Sequence, residues 1–262
     1  MTAEPHTFTD RLIRAAEAIP QNGGGPVAAL RHAGLDRARA LGLPTRKTEA
    51  WKYTPIERVL ARDWRMRALP DAVTASDVAA TRIPGLEATA VVLDAGRYRA
   101  DLSDVADLPN GVYVGSLYEA PRAVLETHLG AYARTDRELF SALNAALLTD
   151  GVLVYVPRGV VLERPVYVLS LVRGGNAPFV APRVLLVAED GAAVKVIEQA
   201  GVVDGGEAIL APLTEVSVGS GANVTHYRIQ NAGTETYEVS NTEAYLRRDA
   251  VFTAFTVTLS GA

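Results

Sequence analysis

His6, His32, His128 and His226 are the chain's whole supply of imidazole, and cysteine is absent. Disulfides, thiolate nucleophiles and thiolate metal ligands are therefore excluded. The histidines lie far apart, and no two form the H-x-x-x-H spacing that puts both on one helix face. Glu189, Asp190 and Glu198 can be offered as paired carboxylates for acid–base chemistry, which needs two groups converging on one site. Glu189 and Asp190 are consecutive at a turn, which suits capping and solvation. His226 lies in a run from Asn223 to Asn231. Alternation groups it with Val224, Arg228 and Gln230, opposite Thr225, Tyr227 and Ile229. That polar face is expected to point outward, as a partner surface or a single metal ligand. One histidine with no thiolate or close carboxylate makes a weak metal site, so a surface or core-edge histidine is the simpler reading.

Other motifs lack what their chemistry demands. Gly23-Gly24-Gly25-Pro26 is not followed by the Gly-Lys-Ser/Thr of a phosphate loop, and reads as a linker. Gly219-Ser220-Gly221 lacks the G-x-S-x-G of a nucleophile elbow, and reads as a turn. Arg46, Lys47, Trp51, Lys52 and Tyr53 mix cations with rings, as single-strand nucleic-acid binders do. Glu49 and Glu57 balance them, and the chain carries a net charge of −4, which argues against nucleic acid. A folded connector in which Trp51 packs and the charges pair is the better reading. No catalytic constellation emerges.

The elements that would position these residues fall into two regions. A hydrophobic fraction of 48% and a charged fraction of 21% over 262 residues are those of a globular protein. No apolar run reaches the ~20 residues of a membrane span, and the N-terminus has no basic-then-apolar leader, so the expected compartment is the cytoplasm. Apolar spacing predicts helices over 8–19, about 27–42, 119–129 and 137–148. Residues 89–94 and 112–117 read as strands, and the stretch from 61 to about 87 has no clear pattern. From residue 149 onward helical periodicity vanishes and β-branched residues dominate. Strands are expected at 152–156, 166–172, 183–188, 193–199, 213–218, 223–230 and 251–259.

Small turn residues recur within that second region. Gly159, Gly191, Gly221 and Asp249 are separated by 32, 30 and 28 residues. A period of this size marks a stack of supersecondary units that bury their apolar faces on one another. The expected fold is α+β: a helical and mixed region over 1–148, then a parallel β-helix over 149–262 that is incomplete at its C-terminal end.

The run Arg46-Lys47-Thr48-Glu49-Ala50-Trp51-Lys52-Tyr53-Thr54-Pro55 resembles the segment that opens the SufD branch of the SufB/SufD family of iron–sulfur cluster assembly proteins. Leu139-Phe140-Ser141-Ala142-Leu143-Asn144, Thr149-Asp150-Gly151-Val152, Tyr155-Val156-Pro157-Arg158-Gly159-Val160 and Glu163-Arg164-Pro165-Val166 resemble the same family, in order. The resemblance implies a non-catalytic scaffold that works with a SufB-like subunit and a SufC-like ABC ATPase, or forms a homodimer alone. It implies an iron–sulfur cluster and a reduced flavin for the complex, with no cofactor assignable to this chain. Arg46, Lys47, Glu49, Trp51, Lys52 and Tyr53 carry the motif without an assigned role. Family members continue past the point matching Ala262, so metal and ATPase contacts are expected beyond it. The rival reading is a β-solenoid carbohydrate-active enzyme or acyltransferase, which would bring two acids, or His226 and an acid, into a groove.

Overall fold

The computed structural model describes residues 7–19, 25–66, 73–175 and 177–261. The expected linker residues Gly23 and Gly24 lie outside them. Helix α1 (Phe8–Glu17) opens with a capping box, in which Thr7 and Asp10 satisfy each other's backbone N–H groups. Helix α2 (Pro26–Leu41) starts on a proline and stops at Gly42. Two short helices follow: α3 (Glu57–Leu60) ends the charged and aromatic segment, and α4 (Ala75–Thr81) lies in the stretch where the sequence showed no pattern. Helix α5 (Arg122–His128) precedes α6 (Leu139–Ala146), whose eight residues are all buried.

Strands β1 (Thr89–Asp94), β2 (Arg97–Tyr98) and β3 (Tyr113–Ser116) lead into the solenoid. Its first coil is β4 (Val152–Val156), β5 (Val166–Val172) and β6 (Phe179–Val180). The second is β7 (Arg183–Ala188), β8 (Ala193–Val202) and β9 (Ala208–Leu210). The third is β10 (Leu213–Val218), β11 (Asn223–Asn231) and β12 (Thr236–Glu238). A fourth begins with β13 (Asn241–Leu246) and β14 (Val251–Ser260). Like strands stack in parallel, giving sheets β14-β11-β8-β5-β1-β2, β13-β10-β7-β4-β3 and β12-β9-β6. The expected parallel β-helix is present. The helical region also supplies its first rung, because β1 runs parallel to β5 and β3 antiparallel to β4.

The repeating turn residues share one backbone state. Gly159, Gly191, Gly221 and Asp249 have φ of 71°, 69°, 66° and 57°, the left-handed region that glycine, and less readily aspartate, adopts. Gly219 has a different constraint: a Cβ there would lie 2.4 Å from the Asp190 nitrogen of the coil below. Gly219→Ala is expected to cost about 2 kcal/mol through this overpacking, read as a lower urea midpoint at unchanged slope.

Inward side chains form a valine-rich core that includes Val91, Leu93, Val154, Val168, Val184, Leu186, Val196, Val216 and Val224. Outside, α1, α3 and α6 cover Phe179 and Ile209, while α2 and α5 cover Leu153, Leu185 and Val187.

Candidate functional site

The interior of the solenoid changes chemistry from coil to coil. One inward column reads Val166, Val196, His226, Ala254, and the next reads Val168, Glu198, Arg228, Thr256. On the shortest sheet Val180 and Leu210 are followed by Glu238. The first coil is thus apolar at these positions, the second introduces one carboxylate, and the third adds an imidazole, a guanidinium and a second carboxylate.

These groups converge. His226 Nε2 lies 2.7 Å from Glu198 Oε1, and Thr214 Oγ1 donates to the same oxygen at 2.6 Å. Arg228 Nη1 donates to Glu198 Oε2 at 3.4 Å, while its Nε and Nη2 donate to Glu238 Oε1 at 3.0 and 2.6 Å. Burial alone would raise the Glu198 carboxyl. The His226 hydrogen bond, the charges of His226 and Arg228 and the Thr214 hydroxyl overcome it and hold the group at about 2. Phe252 closes over the imidazole with ring centroids 6.3 Å apart.

The face carrying Val224, His226 and Arg228 therefore points inward, which corrects the outward placement expected from its polarity. Alternation fixes which residues share a face, but not which face is inside. Thr225, Tyr227 and Ile229 form the outer face, where Tyr227 stacks on Phe255 at 5.2 Å. His226 also meets an acid, as the rival enzyme reading asked, and that acid is Glu198, which the sequence groups instead with Glu189 and Asp190. The common interior parity of Glu198 and His226, 28 residues apart on stacked strands, was the available signal. His226 and Glu198 are 2% and 5% exposed, so the pair is walled in by its own coils.

The remaining candidates separate. Glu189 and Asp190 serve the turn as expected: Glu189 accepts from the Tyr155 hydroxyl at 2.8 Å, and Asp190 accepts from the Ser220 N–H at 2.8 Å and pairs with Arg158 at 2.9 Å. His32 is exposed, and His128 Nδ1 sits 2.6 Å from the Tyr132 hydroxyl on the outer surface. Burial, then the Arg247 charge, pushes His128 below its ordinary value. Trp51 lies in a single 3-10 turn (Glu49–Trp51) and packs on Phe140 with centroids 5.3 Å apart. Its neighbours Arg46, Lys47, Glu49, Lys52 and Tyr53 are exposed. The expected mutual pairing of the motif charges gives way to a cation–ring contact, with Lys52 Nζ 5.3 Å from the Tyr53 centroid.

A second buried network lies outside the sheet. Arg183 donates to Glu215 and, at 3.0 Å, to Asn144 Oδ1; Glu215 also accepts from the N–H groups of Gly130, Tyr132 and Ala133 at 2.9–3.0 Å. Asn144 Nδ2 donates to the carbonyls of Pro182 and Ala211. This network ties α6 and the 130–133 loop to the coils. Among the described residues no three of His, Asp and Glu are grouped so as to hold a metal ion.

Comparison with known proteins agrees with this architecture. The family description "SufBD protein N-terminal region" matches residues 4–168, and "SUF system FeS cluster assembly, SufBD core domain" matches residues 171–262. An iron–sulfur cluster assembly SufBD family protein of Synechocystis is 28% identical over 228 residues, covering 81% of this chain and 49% of that protein. The iron–sulfur cluster assembly protein SufD of Bacillus subtilis is 34% identical over 107 residues, covering 40% and 24%. The chloroplastic protein ABCI7 of Arabidopsis thaliana is 24% identical over 216 residues, covering 78% and 44%. The chain spans about half the length, or less, of these curated relatives. Matched by the two descriptions over nearly all of its length, the chain belongs to the SufBD family of iron–sulfur cluster assembly proteins.

Proposed function

We propose that this chain is a SufD-like, non-catalytic scaffold subunit in the cytoplasm, acting with a SufB-like subunit and a SufC-like ATPase. The observation that carries the reading is the sealing of the acid–imidazole pair His226–Glu198. His226 and Glu198 are buried inside the solenoid, and Arg228 and Thr214 also donate to the carboxylate. A general base must reach a substrate proton directly or through one water. The enzyme reading asked for His226 beside an acid in a groove; the pair exists, but the groove does not open on it.

The cluster is cargo in this reading. Residues 1–262 hold no cysteine, and the described residues include no grouped metal ligands, so this stretch supplies no thiolate to a cluster. Reduced flavin stays an attribute of the complex in the family resemblance, and no residue here is assigned to it. Trp51 anchors the family motif to α6 through Phe140, leaving Lys52 and Tyr53 exposed for partner contact.

Co-expression of a full-length version with a SufB-like and a SufC-like protein tests the reading. A co-eluting three-component complex is expected on size exclusion. Three separate peaks, or glycoside or acyl-transfer turnover that His226→Gln abolishes, would overturn it.

A further inference from the structure

Helix α6 meets a corner of three successive coils, in order along its length. Asn144 Nδ2 donates to the carbonyls of Pro182 and Ala211, which precede β7 and β10, at 2.8 and 2.9 Å. Asn241, the first residue of β13, reaches the other end of the helix. Its Nδ2 donates to Glu138 Oε2 at 2.9 Å and to Ser141 Oγ at 3.0 Å. Glu138 is the N-cap of α6, and the same Oε2 accepts from the Ser141 N–H at 2.8 Å. One side chain of the fourth coil therefore braces the cap that starts the helix, where N–H groups have no partner within the helix itself. The braced turn carries Phe140, and the Phe140 ring holds Trp51. From Trp51 the contacts run on into its 3-10 turn. The Trp51 N–H donates to the Thr48 carbonyl at 2.9 Å and the Thr54 N–H to the Trp51 carbonyl at 3.1 Å. Lys52 and Tyr53 stand between those two amides.

We propose that Asn241 is a latch: seating the fourth coil fixes the first turn of α6 and, through Phe140 and Trp51, fixes the pose of Lys52 and Tyr53. The two states are a capped α6 with β13 seated and a frayed first turn with β13 unseated. Residues 48–54 are held in the first state and loosened in the second. Contiguity by itself transmits nothing; a shared two-state element does, and here that element is the cap of α6. The segment lies far ahead of the fourth coil in the chain, so a nascent protein exposes it well before that coil is made. The latch withholds its fixed form until β13 is paired. A partner that grips Lys52 and Tyr53 thereby selects chains whose solenoid has wound as far as the fourth coil. The latch does not rest on the cluster-assembly reading, because it uses only the contacts of Asn241, α6 and Trp51.

Asn241→Asp tests the latch, because it keeps the side-chain shape, removes the donor and sets a carboxylate against Glu138. Hydrogen exchange of the whole chain, resolved by residue, is read at the N–H groups of Ser141, Trp51 and Thr54. All three should exchange roughly tenfold faster or more, while the amides of β7 in the second coil keep their rates. Combining Asn241→Asp with Glu138→Gln reverses donor and acceptor across the contact and should restore the rates at Trp51 and Thr54. Faster exchange at Ser141 with Trp51 and Thr54 unchanged would overturn the proposal, as would unchanged rates at all three. A uniform rise that includes β7 would assign the effect to global unfolding and overturn it too. So would a double variant that leaves Trp51 and Thr54 as fast as in Asn241→Asp.

Discussion

Glu215→Gln is expected to lower the free energy of unfolding by about 3–5 kcal/mol, with the urea midpoint falling at unchanged slope. The carboxylate and its partner Arg183 are both fully buried. Removing the negative charge leaves a guanidinium inside the protein with only neutral oxygens, that of Asn144 and that of the introduced glutamine, to meet it. Glutamine can replace one carboxylate oxygen as an acceptor, but its amide nitrogen would face the N–H donors of the 130–133 loop. Burial tends to raise the Glu215 carboxyl; the Arg183 charge and the loop N–H groups win and hold it low. The double variant Arg183→Met with Glu215→Leu removes both charges together and should recover much of the loss. If Glu215→Gln costs under about 1 kcal/mol, the network does not join the loop to the coils in the way described.

The second large effect depends on pH. The Glu198 carboxyl sits at about 2 in the folded chain against an ordinary 4.5. A depressed carboxyl contributes stability that is fully present above the unfolded value and is lost as pH falls through the folded one. The contribution is roughly 3 kcal/mol at neutral pH. Glu198→Gln mimics the protonated acid, so the gap between wild type and variant should be widest near neutrality. It should shrink below pH 4.5 and nearly close near pH 2. Urea titrations of both proteins across that range measure it. Glu215 is shifted in the same direction, but it is common to both proteins and cancels in the difference. A gap that stays constant down to pH 2 would show that His226 and Arg228 do not hold this carboxylate.

Much of the solenoid was legible because long strands alternate and turns recur. Residues 152–156, 166–172, 183–188 and 213–218 form strands at the expected bounds. β6, β9 and β12 were not seen, since two or three residues are too short to show a period of two. β13 escaped because Asn241, Thr242 and Glu243 lack the β-branched apolar run that marked its neighbours. α4 has a capping box, Thr74 with Asp77, that an alanine-rich stretch concealed. The site was hidden for another reason. Glu198 and His226 meet only through coil stacking, and a polar strand face normally means solvent. Here a valine column simply gives way to polar groups that satisfy one another.

The rung supplied by β1 and β3 bears on the order of folding. β1 meets β5 across 77 residues of sequence, Thr89 facing Val166, whereas each later coil closes on one about 30 residues behind it. The first closure is therefore entropically the slowest, and every later winding step is shorter. Chain synthesis delivers the pieces in that same order. During translation the helices and β1 emerge first and wait for β4 and β5; each further coil then winds onto a platform already made. A variant that disrupts β1 should thus be felt in the nascent chain as a whole solenoid without a starting surface.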